Sequence, residues 1–83
     1  MGTLAETLIN EKKKLISTLN IPEDIKRDLI IELDIIKNAV IPDVRSYHLY
    51  FYMKKLISLE HLYQDVKRLM FKDYEIDAIL SNE

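Results

Sequence analysis

Histidine is the side chain that most often moves protons or binds metal near neutral pH, and this chain carries two, His48 and His61. On one continuous helix their thirteen-residue separation turns them about 220° apart around the axis, so they share no site there. His61 and Asp65, at i and i+4, could offer a metal two ligands. Two ligands are a fragment of a site, and no cysteine or further histidine completes it. Asp73-Tyr74-Glu75-Ile76-Asp77 has the alternating acids that open a calcium loop. Such a loop needs glycine at its sixth position and a bidentate glutamate at its twelfth. Here the sixth is Ala78 and the twelfth falls past Glu83, so the segment reads as a helix start with solvated acids.

Catalysis by paired carboxylates needs one acid in an apolar pocket that raises its pKa. Nearly every Asp and Glu falls on a polar helix arc. Glu32, at the margin of an apolar stripe, is the nearest exception, and a salt bridge to a lysine accounts for it. One glycine, at position 2, and no cysteine leave no phosphate-cradling loop, nucleophile elbow or CxxC pair. The chain is expected not to be an enzyme and to need no cofactor or metal.

Basic residues offer a different chemistry. A helix, a break at Ile41-Pro42 and a second helix opening with Arg45, Ser46, Tyr47 and His48 loosely match a helix-turn-helix, whose second helix enters the major groove. In that alternative, a DNA-binding regulator, Arg45, Ser46 and His48 read bases while Lys54 and Lys55 lie near phosphates. An acidic preceding helix, a missing turn glycine and a crowd of aromatics weigh against it. Lys12-Lys13-Lys14, beside Glu11, is too short a basic run to anchor a membrane surface and reads as a solvated face.

These candidates must be held by something, and composition says what. The chain has 83 residues, 48% hydrophobic and 31% charged, with net charge −2, the balance of an ordinary folded domain. A fold this size hides only about 60% of its unfolded surface, and without disulfides or thiolate-bound metal, oligomerisation is the staple still open to it. Even the longest uncharged runs, among them Ser46–Met53, are far short of the roughly 20 apolar residues of a membrane span. Early acids, Glu6 and Glu11, do not suit a secretory signal. The small acidic protein is expected to be cytoplasmic, with no membrane contact.

Apolar residues recur at helical spacing almost throughout, and Pro22 and Pro42 punctuate them. The expectation is all-α, one domain over 1–83, with helices at about 3–19, 22–40, 43–71 and 73–80 in an antiparallel three-helix bundle plus a short fourth C-terminal helix. Thr3 and Glu6 form a candidate capping box, ahead of an apolar face of Leu4, Leu8, Leu15, Ile16 and Leu19. The second helix has a main stripe, Ile25, Leu29, Leu33, Ile36 and Val40, with Ile31 and Ile35 roughly opposite. The third has a core stripe of Leu56, Leu59, Leu62, Tyr63, Val66, Leu69 and Met70, with a kink near Ser58 allowed for, and Asp73 caps the fourth. The aromatic content of Tyr47–Met53 also suits a strand, but no pairing strand with turn signals accompanies it.

The positive clue is an excess of apolar helix surface. Ile31, Ile35, Tyr47, Tyr50, Phe51 and Ile57 exceed what one stripe per helix can bury, and monomers rarely expose a contiguous apolar patch. Tyrosine suits an interface, with a ring that buries area and a hydroxyl that finds a partner. A second helix covered on both sides by its own chain would remove Ile31 and Ile35 from this set. The leading expectation is a non-enzymatic protein–protein interaction module, an adaptor, inhibitor or assembly factor, that forms a homodimer through these residues. Compact helical bundles also include small immunity-type proteins that neutralise a toxin, an alternative resting on fold-level analogy.

Overall fold

The capping box forms as the sequence predicts: the Glu6 amide donates to the Thr3 hydroxyl at 3.1 Å and the Thr3 amide to the Glu6 carboxylate at 3.4 Å. It starts α1 (Leu4–Thr18). The computed structural model describes residues 2–81; the extreme ends of the expected 1–83 domain lie outside the described residues. Helix α2 spans Glu23–Asn38, with Glu23 and Asp24 in its first turn, where acids complement the positive end of the helix dipole. Helix α3 spans Pro42–Leu59 and begins on its proline, whose ring fixes a helical φ and whose missing N–H is not needed there. The chain closes with a 3₁₀ helix, Gln64–Leu69, and α4, Asp73–Leu80. The described residues contain no strand, and no helix among them is long and apolar enough to cross a membrane.

Two boundaries and one cap differ from expectation. Helix α2 stops at Asn38, where Ala39 turns extended; Ile41 is extended as well, as the steric demand of Pro42 on the residue before it requires. Val40, expected in the core, is therefore 92% exposed. The predicted helix over 43–71 breaks after Leu59, with Tyr63 extended. A continuous helix of that length would run about 43 Å, longer than the molecule's longest dimension of 32 Å. Breaking brings Val66, Leu69 and Phe71 back into the core and turns Leu62, expected there, out to 77% exposure. Helix α4 has the expected bounds but a different cap: the Glu75 carboxylate, itself buried, accepts the Lys72 amide at 2.8 Å.

Cross-links fix the chain direction of neighbouring helices. Lys37 donates to Asn10, Lys13 to Asp34 and Lys26 to the Ser17 carbonyl, so α1 and α2 run antiparallel. Glu32 pairs with His48 and Asp28 with Lys55, which sets α2 and α3 antiparallel as well. Among the described residues α1 and α3 do not adjoin, and the 3₁₀ helix and α4 occupy the space between them. In place of a third long helix beside α1, as the expected three-helix bundle has it, the 3₁₀ helix and α4 together complete the packing between α1 and α3.

Inside lie Leu29, Leu33 and Ile36 of α2, Leu49, Tyr52 and Leu56 of α3, Val66, Leu69 and Ile79, none more than 2% exposed. Ala5, Leu8, Ile9 and Ile16 make the buried face of α1, with Leu19 beyond its end. The α1 face is rotated from the one predicted, leaving Leu4 exposed and Leu15 only partly buried.

Candidate functional site

Helix α3 carries apolar residues on opposite sides. Arg45, Leu49, Tyr52 and Leu56 are buried and fall within an arc of about 60°. Tyr47, Tyr50 and Ile57 lie across the helix from that arc and are more than half exposed, with Phe51 at the margin, also exposed. They are not isolated. Tyr47 meets Phe51 edge to face at 5.2 Å between ring centres, and Lys54 sits 5.5 Å over the Tyr50 ring, a distance at which the ammonium is drawn to the ring's negative face. With Ile25 and Asp28 of α2, Tyr47, Tyr50, Phe51 and Lys54 line a groove of about 600 Å³.

The groove's polar wall clamps α2 to α3. Glu32 is buried and receives His48 Nδ1 at 2.5 Å and Lys55 Nζ at 3.4 Å, while Lys55 also reaches Asp28 at 2.9 Å. The expected lysine partner of Glu32 is therefore Lys55. Burial pulls the Lys55 pKa down, but the hydrogen bond and charge of Asp28, joined by those of Glu32, outweigh it and leave the ammonium held above its ordinary value. A carboxylate neutralised by a cation in this way is a structural clamp.

Ile31 and Ile35 also remain exposed; α2 is not covered on both sides by its own chain. They line a second, shallower hollow of about 400 Å³ with Val44 from the start of α3. All six residues expected at an interface thus reach the surface, on two neighbouring patches of the α2–α3 side. Val44, a single apolar residue in the first turn of α3, belongs with them and lies outside the expected set.

The DNA-reading set comes apart. Arg45 is 6% exposed, and its guanidinium donates to the carbonyls of Ile79, Lys37 and Ala39 at 3.1, 3.4 and 2.8 Å. It points into the protein and ties together the C-terminal ends of α2 and α4, where carbonyls lack helical partners and the dipole favours a cation. His48 and Lys55 belong to the Glu32 clamp. Only Ser46 and Lys54 of the five face solvent. Arg45 is the first member of the buried stripe 45, 49, 52 and 56, and its charge is met by carbonyls at the ends of other helices, which spacing along α3 does not reveal.

The remaining candidates are placed as follows. The break after Leu59 separates exposed His61 from Asp65, so the predicted i, i+4 pair does not sit on one helix. Among the described residues no group of three or more His, Asp or Glu is arranged to hold a metal ion. The lysine run is less solvated than expected: Lys12 lies 5.5 Å over Phe71 and donates to the Arg68 carbonyl, and Lys13 pairs with Asp34 at 2.6 Å. Only Lys14 is left on an exposed face. Compared with family models, curated proteins and solved structures, the chain matches none.

Proposed function

We propose that the protein is a non-enzymatic interaction module that binds protein chains through the outer side of α3 and the adjoining α2 hollow, as an adaptor, inhibitor or assembly factor. The observation that carries this reading is the concentration of exposed aromatic rings beside a 600 Å³ groove. Rigid rings of this kind anchor interfaces, because they bury large area with few rotatable bonds. The hollow at Ile31, Ile35 and Val44 extends the apolar surface along the same side.

A photoreactive benzoylphenylalanine at position 50, with a control at exposed Glu11 on α1, tests this. In the source cell the position-50 protein is expected to give covalent adducts with one or a few proteins, and the position-11 protein none of the same mass. Equal labelling from both positions, or none from position 50, overturns the reading.

A further inference from the structure

The outer side of α3 carries a pattern that matches itself when reversed. Asp43, Tyr47, Tyr50 and Lys54 are all exposed, and with Ile57 they fall within an arc of about 80°, across the helix from the buried stripe. Their spacing is four, three and four residues. It reads the same from either end, with an acid at one end, a base at the other and two tyrosines between. The midpoint of Asp43 and Lys54 is also the midpoint of Tyr47 and Tyr50. Among the described residues neither Asp43 nor Lys54 has an ion-pair partner.

Resting on the reading of this side of α3 as a docking surface, we propose that its occupant is a second copy of the chain, packed α3 against α3 in antiparallel fashion. A two-fold interface brings the same patch of both copies together, so residue i meets j and j meets i. A two-fold axis crossing α3 between residues 48 and 49 sets each Tyr47 against Tyr50 of the other copy. It sets each Asp43 against Lys54 of the other copy, which forms the ion pair twice. Ile57 of each copy lies beyond the ion pairs, at the two ends. The opposite, parallel alignment sets Asp43 near Asp43 and Lys54 near Lys54, and like charges reject it. One helix face on each copy buries less than the roughly 1,600 Å² of a standard interface, so the dimer dissociates on the order of micromolar concentration.

Charge reversal measured by sedimentation tests both the occupant and the register. Wild-type chain is expected to be dimeric at high micromolar concentration. Asp43→Lys alone and Lys54→Asp alone each set two like-charge pairs in their own dimers and are expected to weaken association at least tenfold. Mixed in equal amounts, they form a heterodimer with both ion pairs restored, and association returns to within about threefold of wild type. Circular dichroism checks that each variant keeps its helicity. If Asp43→Lys does not, Lys54→Asp against Lys54→Gln carries the test, and the acid must weaken association more than the amide. A monomeric wild type, or variants that associate unchanged or fail to recover on mixing, overturns the proposal. Position-50 adducts with other proteins alongside a monomeric wild type would end the self-docking model and leave the interaction module standing; no adducts at all would end both.

Discussion

The inner and outer sides of α3 are built from similar residues and have opposite fates. Tyr52 and Tyr50 are two residues apart, yet Tyr52 is fully buried with its hydroxyl donating to the Leu69 carbonyl at 2.7 Å, while Tyr50 is 57% exposed under a lysine. Composition cannot separate them, since both are tyrosines in an aromatic run. What separates them is the position of the helix axis relative to α2, the 3₁₀ helix and α4. The inner side is held by closed packing and by polar groups that each find a partner; the outer side has the same chemistry with no cover from its own chain. Stability should therefore reside in one side of the helix and association in the other.

The largest test of that division is Tyr52→Ala. Removing a buried aromatic ring that packs beside Phe71 at 5.6 Å is expected to cost about 3–5 kcal/mol, read from denaturant unfolding. Arg45→Met comes next. It keeps an unbranched apolar stem but leaves the carbonyls of Lys37, Ala39 and Ile79 without their cation, an expected loss of about 2–3 kcal/mol. A loss near zero would mean that water replaces the guanidinium and that the inner stripe begins only at Leu49.

A subtler effect on stability is an alkaline one. Burial pushes the Tyr52 hydroxyl well above its ordinary value of 10.0, and the Asp28 and Glu32 partners hold Lys55 above 10.5 despite partial burial. Both groups have folded pKa values above their unfolded ones. Their contributions are therefore complete below about pH 10 and are lost as pH rises beyond it, where the unfolded chain releases protons first. Unfolding free energy is expected to be insensitive to these groups at neutral pH and to fall above pH 10. Tyr52→Phe should flatten part of that fall, at a neutral-pH cost of about 1 kcal/mol for the lost hydrogen bond; an unchanged alkaline slope would show that Tyr52 ionises as readily in the folded chain.

Much of this was legible beforehand in local terms. The Thr3–Glu6 box, the two prolines, the bounds of α4 and the surplus at Tyr47, Tyr50 and Ile57 follow from short-range chemistry and helical spacing, and the structure agrees with each. What was not legible depends on length and closure. Residues 43–71 have unbroken helical spacing, yet α3 stops at Leu59 because its neighbours are shorter and the core lies behind it. That single break accounts for two differences: Leu62 lies outside the core, and His61 and Asp65 do not form a pair on one helix. Arg45 lies about five full turns before Tyr63 on the predicted stripe; what hid its burial is its charge, which carbonyls at the ends of α2 and α4 satisfy.

The smallest expected effect is the most informative about the outer side. Tyr47→Ser with Tyr50→Ser removes two exposed rings, and such surface changes stay within about 0.5 kcal/mol of wild-type stability. Measured at low concentration, where the chain is monomeric, the double variant should unfold at the same denaturant midpoint. At high concentration its association should be lost, because the rings supply most of the apolar area across the proposed contact. Loss of stability at low concentration would place the tyrosines in the folding core and erase the distinction between the two sides of α3. Unchanged stability with unchanged association would instead shift the working surface to the hollow at Ile31, Ile35 and Val44, where Ile31→Ser is the matching substitution. Stability and association measured on one protein, at two concentrations, thus separate a helix that is amphipathic in the ordinary sense from one that is apolar on two sides for two reasons.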